Sequence, residues 1–203
     1  MAPAESYQSV DGRGEAAFEI RGSEFIGSVT PVRSVAEAEA FIEEITGDHP
    51  DASHIVPAYR IRTEDGMLRE WSSDAGEPSG SAGKPVLNLL QQRELENVAV
   101  AVTRYFGGTK LGVGGLARAY GRAAKEAIDA VGVVDREPHL EVEITVEYDD
   151  SGTVRGLIES SDYDFTAEYD EEVRFTVLVP IAESDELFDR VRSATSARAT
   201  IDR

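Results

Sequence analysis

Two carboxylates and a set of cations stand in or beside two glycine-rich loops, Asp74-Ala-Gly-Glu-Pro-Ser-Gly-Ser-Ala-Gly-Lys-Pro85 and Arg104-Tyr-Phe-Gly-Gly-Thr-Lys-Leu-Gly-Val-Gly-Gly115. Eight of the chain's 18 glycines fall between Gly76 and Gly115. Glycines let backbone N–H groups turn toward an anion, and a helix start adds partial positive charge. Gly83 leads into a helix expected at Pro85, and Gly114-Gly115 into one expected at Leu116. Lys84, Lys110 and Arg118 lie near those starts, with Arg104 and Arg122 close in sequence. With the backbone of Gly80, Gly83, Gly107, Gly108, Gly114 and Gly115, they make a candidate site for phosphate or carboxylate groups. The competing reading is tight turns and close packing. Asp74 and Glu77 suit acid/base work or a hard cation, and equally suit turns and caps. His54, Ser79, Ser81 and Tyr105 are further candidates. His54 opens a strand, where a hydrogen-bonded structural role competes, and Tyr105 and Phe106 suit either base stacking or core packing.

Sharper motifs fail. Gly83-Lys84-Pro85 is not a P-loop: Pro78 stands where the first glycine belongs, and no hydroxyl follows the lysine. Gly112-Val-Gly114-Gly-Leu-Ala117 fits the loose dinucleotide pattern, but loop residues separate it from the preceding strand. Ser79 and Ser81 lie outside G-x-S-x-G. His49, His54 and His139 lack zinc-site spacing, and there is no cysteine. No metal and no cofactor is expected.

The 203 residues carry 39 acids and 20 bases, net −19. Such a surface repels nucleic acid and anionic membrane. Only three bases are lysine, which favours adaptation to a salt-rich cytoplasm over a basic partner. One island departs from this. From Lys84 to Lys125 there are seven bases and two acids, leaving that segment at +5 and the rest at −24. An anion site is one reading; bases paired with acids from elsewhere is the other. No 18-residue apolar run suggests a membrane span, and no secretory leader is evident. A cytoplasmic location is expected.

Several elements must position the loops. Residues 1–14 are polar and expected to be loose. Ala16–Arg21 and Phe25–Val32 read as a hairpin turning at Gly22-Ser23. Ser34 and Glu37 form a capping box for a helix that Gly47 should end. Ser53–Thr63 and Met67–Ser72 read as strands turning at Glu64-Asp65-Gly66, and Pro57 marks an edge or bulge. A helix over Pro85–Arg93, a strand over Asn97–Phe106 buried on both faces, and a helix over Leu116–Val131 follow. Beyond Glu137-Pro138 the pattern is β-α-β-β-α-β, which suggests a ferredoxin-like sandwich acting as a recognition module. The class is α+β, with domains at 15–135 and 138–203.

Ser73–Pro85 and Arg104–Tyr120 closely resemble the two signatures of the YigZ/IMPACT family. Ser23-Glu-Phe-Ile26, Pro31 and His54 with Ala58-Tyr-Arg60 also match its N-terminal pattern. The resemblance implies an N-terminal domain with the fold of the second domain of ribosomal protein S five. It implies a C-terminal ferredoxin-like domain similar to the last domain of elongation factor G. Its eukaryotic relatives regulate translation initiation by binding a partner protein. Here Ala75 replaces a usual acid, which weakens any paired-acid mechanism, while Thr109 and Val113 replace the commoner Ile and Thr.

Three functions remain open from the sequence. One is a translation regulator that binds RNA, the ribosome or a translation factor through the glycine-rich basic surface. Another is an enzyme on a phosphorylated or peptide-like small molecule, with Glu77 or Asp74 as base. The last is a protein-interaction adaptor. Oligomeric state is not legible in the sequence.

Overall fold

The structure is a computed structural model that describes residues 6–63 and 66–202. The chain divides into two compact units, Tyr7–Arg136 and a second from Glu137 onward. Together they form a mixed α/β architecture of sheets and helices.

The first unit is built on a five-stranded sheet of order β2-β3-β6-β4-β5, with every neighbouring pair antiparallel. Its strands are β2 (Gly14–Ile20), β3 (Ser23–Pro31), β4 (His54–Arg62), β5 (Leu68–Ser72) and β6 (Val98–Tyr105). Central β6 explains the packing. Val98, Val100 and Val102 point into one core with α2 (Gly83–Gln92) and α3 (Val113–Val131). Ala99 and Ala101 point the other way, where their small size lets α1 (Val35–Asp48) approach through Ala38, Phe41 and Ile45. The strand is therefore buried on both faces, as its unbroken apolar run requires.

Local chemistry sets the helix ends. Ser34 accepts from the Glu37 N–H at 3.1 Å, and the Glu37 carboxylate accepts from Arg33 N–H at 2.7 Å. Gly47 does not end α1; the helix runs through Asp48 and is capped at His49. Pro57 lies inside the sheet rather than on an edge strand. It falls at the end of the β4–β5 pairing, where its carbonyl still accepts from Ser73 N–H at 3.1 Å and only the reciprocal bond is missing.

The N-terminal segment is more ordered than its polarity suggests. Tyr7–Val10 is a strand, β1, pairing antiparallel with β7 (Val133–Arg136). Val10 is fully buried, and the Ser9 hydroxyl donates to the Asn97 carbonyl at 3.2 Å. Of the Glu64-Asp65-Gly66 turn, Glu64 and Asp65 lie outside the described residues.

The second unit runs β8 (His139–Val146), α4 (Tyr148–Ser160), β9 (Asp164–Tyr169), β10 (Val173–Pro180), α5 (Ser184–Ala194) and β11 (Thr200–Asp202). Its antiparallel sheet has the order β11-β8-β10-β9, two interleaved β-α-β units. Val142, Ile144, Phe175 and Val177 meet Val154, Ile158, Leu187 and Val191 in its core. The opposite sheet face carries Glu141, Glu143, Asp164, Glu168 and Asp202 with Arg174, the alternate positions of the same strands.

Candidate functional site

Strands β5 and β6 both run antiparallel to β4, so they end at the same edge of the sheet. That geometry brings the two glycine-rich loops together, because β5 feeds the first and β6 the second. The contact is made by a buried polar cluster. Glu77, from the first loop, has a side chain only 4% exposed. Its Oε1 accepts from Arg104 Nη1 at 2.6 Å and from the Tyr120 hydroxyl at 2.7 Å. Arg104 is the last residue but one of β6, and Tyr120 lies on α3. Loop, strand and helix are thus tied at one oxygen atom.

Each member is held from behind. The Arg104 guanidinium lies 5.4 Å from the Phe25 ring centre and 5.3 Å from that of Phe106. Its Nε is buried with no hydrogen-bond partner among the described residues. Burial first, then the hydrogen bond to Glu77 and its negative charge, push the Tyr120 phenol well above its ordinary value. It therefore remains a donor. His54 donates Nδ1–H to the Ala75 carbonyl at 2.9 Å, which turns Nε2 toward Glu77 Oε1 at 3.9 Å.

The first loop is closed by its own acid. Asp74 Oδ2 accepts from Gly80 N–H at 2.7 Å, while Oδ1 accepts from Ala82 N–H at 3.0 Å and Gly83 N–H at 2.9 Å. Burial alone would raise the Asp74 carboxyl; these three backbone donors outweigh it and hold it below the ordinary carboxylate value. The N-terminus of α2 is therefore already occupied by a carboxylate from its own loop. Gly83 serves packing there, since a Cβ would meet the Ser73 carbonyl oxygen at 2.5 Å. Ser81 is buried and donates to the Pro78 carbonyl at 2.6 Å, whereas Ser79 is exposed.

The second loop is open. Gly107 packs against Gly22, and a Cβ there would stand 1.9 Å from the Gly22 carbonyl. Beyond it, Gly108, Lys110, Gly114 and Arg118 are exposed and Gly115 is half-buried. The N-cap of α3 is Gly112, with no side-chain cap. Lys110 and Arg118, like Lys84 at the first loop, make no ion pair or side-chain hydrogen bond among the described residues. Tyr105 instead shares a 2.9 Å hydrogen bond with His49 Nδ1, and its ring is edge-on to that imidazole.

The basic island thus divides. Arg104 is buried in the cluster rather than displayed. Arg122 pairs with Glu126, and Lys125 and Arg93 both pair with Asp129. Those acids lie just past the segment that showed positive excess. Sequence reading also missed Tyr120 as a polar participant, although a tyrosine on an apolar helix face signals a hydroxyl that needs a partner. Chemically, both loop carboxylates are committed, Asp74 to backbone amides and Glu77 to Arg104 and Tyr120. Neither is placed to act as a free general base.

Fold and site define a class: a two-unit α/β protein whose first unit joins two glycine-rich loops through a buried Glu–Arg–Tyr cluster. The family described as the Impact N-terminal domain matches residues 21–128, and a domain of unknown function, DUF1949, matches 144–198. The chain belongs to the IMPACT family. The IMPACT family member YvyE of Bacillus subtilis is 34% identical over 97% of this chain and 90% of its own length. IMPACT family member YigZ of Escherichia coli is 34% identical over 71% of each. A solved structure described only as that of a hypothetical protein covers 97% of this chain and 96% of its own, at 29% identity and a TM-score of 0.74. Among the described residues no helix is long and apolar enough to cross a membrane.

Proposed function

We propose that the protein is a regulator of translation that binds RNA or the ribosome through the rim of its second glycine-rich loop. The observation that carries this reading is the contrast between the two helix starts. Asp74 fills that of α2, while α3 follows its N-cap Gly112 without a side-chain cap, beside Lys110 and Arg118, which are unpaired among the described residues. Support for translation as the setting comes from the modules that the family resemblance implies. The order β11-β8-β10-β9 fits the ferredoxin-like fold expected of the second unit. The antiparallel sheet of the first unit, with α2 and α3 on one face, is read as the fold of the second domain of ribosomal protein S five.

The acidic open face of the second unit repels phosphate, so RNA contact belongs to the first unit. At ~1 M salt the screening length is ~3 Å, so binding depends on direct contacts rather than long-range attraction. The commitment of Asp74 and Glu77 weighs against the enzyme reading. The double variant Lys110→Ala/Arg118→Ala tests the proposal on a single-stranded RNA oligomer and on purified ribosomes. Loss of two phosphate contacts should weaken RNA binding and flatten the slope of log affinity against log salt by about 1.4. Unchanged affinity and slope in a filter assay would sink the idea.

A further inference from the structure

The α1 side of the five-stranded sheet carries an unmet negative charge at the β2–β3 hairpin. Glu19 on β2 stands opposite Glu24 on β3, and Glu24 stands opposite Tyr105 on β6. Residues opposite one another share a sheet face, and like charges so placed are destabilising. Neither carboxylate has an ion pair or side-chain hydrogen bond among the described residues. Arg21, at the hairpin tip, is exposed and makes no ion pair there either. Helix α1 packs over β4 and β6, through Tyr59, Ile61, Ala99 and Ala101, and leaves this row uncovered.

The row opens onto a groove of about 400 Å³ lined by Glu19, Glu24, Tyr105 and Phe106 among others. Phe106 is 47% exposed although Arg104 lies near its ring. A carboxylate pair beside aromatic rings is chemistry for a cation: charge attracts it and the rings accept it through their quadrupoles. The same groove repels phosphate, so it is separate in kind from the Lys110–Arg118 rim. A further feature selects a polypeptide. Strand β2 is an edge of the sheet, so its outer backbone groups are open to an added strand, whose alternate side chains fall on this face.

We infer that this groove receives an arginine or lysine side chain from a basic peptide segment laid as an added strand along β2. The test uses the full-length chain, labelled with ¹⁵N, and three short peptides: Ac-Thr-Val-Arg-Val-Thr-amide and its citrulline and glutamate analogues. Citrulline keeps the shape of arginine and removes its charge. The arginine peptide should shift the amide signals of Glu19, Gly22, Glu24 and Phe106, and bind about tenfold more tightly than the citrulline peptide. The double variant Glu19→Gln/Glu24→Gln, which relieves the repulsion and so keeps the fold, should erase that preference. Phe106→Ala should weaken the arginine peptide independently, and Lys110→Ala/Arg118→Ala should leave it unchanged. Equal binding of the arginine and citrulline peptides overturns the inference. So does a shift pattern confined to the acidic face of the second unit, or no shift at millimolar peptide.

Discussion

Asp74 carries one negative charge and accepts three backbone N–H groups, so the electrostatic need of the α2 start is met within the loop. Replacing it with alanine leaves those donors without their acceptor. Asp74→Ala should lower stability by about 1–2 kcal/mol at neutral pH, read from urea unfolding. The pH dependence has a defined sign. The folded carboxyl is held below its ordinary 3.8, so its contribution is complete above that value and is lost as pH falls through the lower, folded value. The gap between wild type and variant should therefore close in acid; an equal gap at pH 3 and pH 7 would show that charge is not what Asp74 contributes. The sequence shows that this loop gathers amides and acids. Whether those amides face outward or inward is decided by backbone turns such as the positive φ at Ala75 and Gly80, which composition does not reveal. For the same reason Glu77 and Arg104 are visible as a loop acid and a loop base, while their pairing under Tyr120 is a product of the tertiary approach of α3.

Among the elements, β6 and the helices around it were legible because their patterns are long and consistent. The alternation of valine with alanine gives both burial on two faces and a thin side for α1. Shorter elements were not. With four residues each, β1 and β7 have too little pattern to separate from a polar terminus and a linker, and gain stability by pairing with each other. The seat of α3 rests on a residue the pattern leaves unremarked. A Cβ on Gly27 of β3 would stand 2.2 Å from the Ala123 carbonyl oxygen of α3 and 2.7 Å from its carbon. Backbone atoms cannot step aside as a side chain does, so the whole helix would have to lift. Gly27→Ala should cost about 2–3 kcal/mol, toward the upper end for overpacking. The Glu77–Tyr120 hydrogen bond should loosen with it, seen as loss of the downfield tyrosine hydroxyl signal by NMR. A variant as stable as wild type would mean that α3 is not held at that distance. The charges on α3 teach a related lesson: Arg122 and Lys125 find Glu126 and Asp129 one turn on, so a positive excess counted along the chain overstates what the helix face presents.

At the scale of the molecule, the limits of a folding unit and the limits of the Impact N-terminal match differ. The Impact N-terminal match covers 21–128, but the compact unit runs Tyr7–Arg136. The difference contains β1, β2 and β7. Without them Val10 and Phe18 leave the core, and Phe25 loses the stacked Phe18 ring 5.5 Å away. Burying side chains of that size contributes about 1.5–3 kcal/mol each, and a domain has only about 5–15 kcal/mol in all. A fragment of residues 7–136 should therefore unfold in one cooperative thermal transition with the near-ultraviolet circular dichroism of a packed Tyr120 environment. A fragment of 21–128 should keep helical signal but lose both the cooperative transition and the near-ultraviolet spectrum. The proposed RNA binding should belong to the 7–136 fragment as much as to the whole chain, because the rim at Lys110 and Arg118 lies within it. If instead 21–128 melts as sharply and as high as 7–136, the flanking strands are accessory, and the stability of the loop cluster comes from the central sheet and α3 alone.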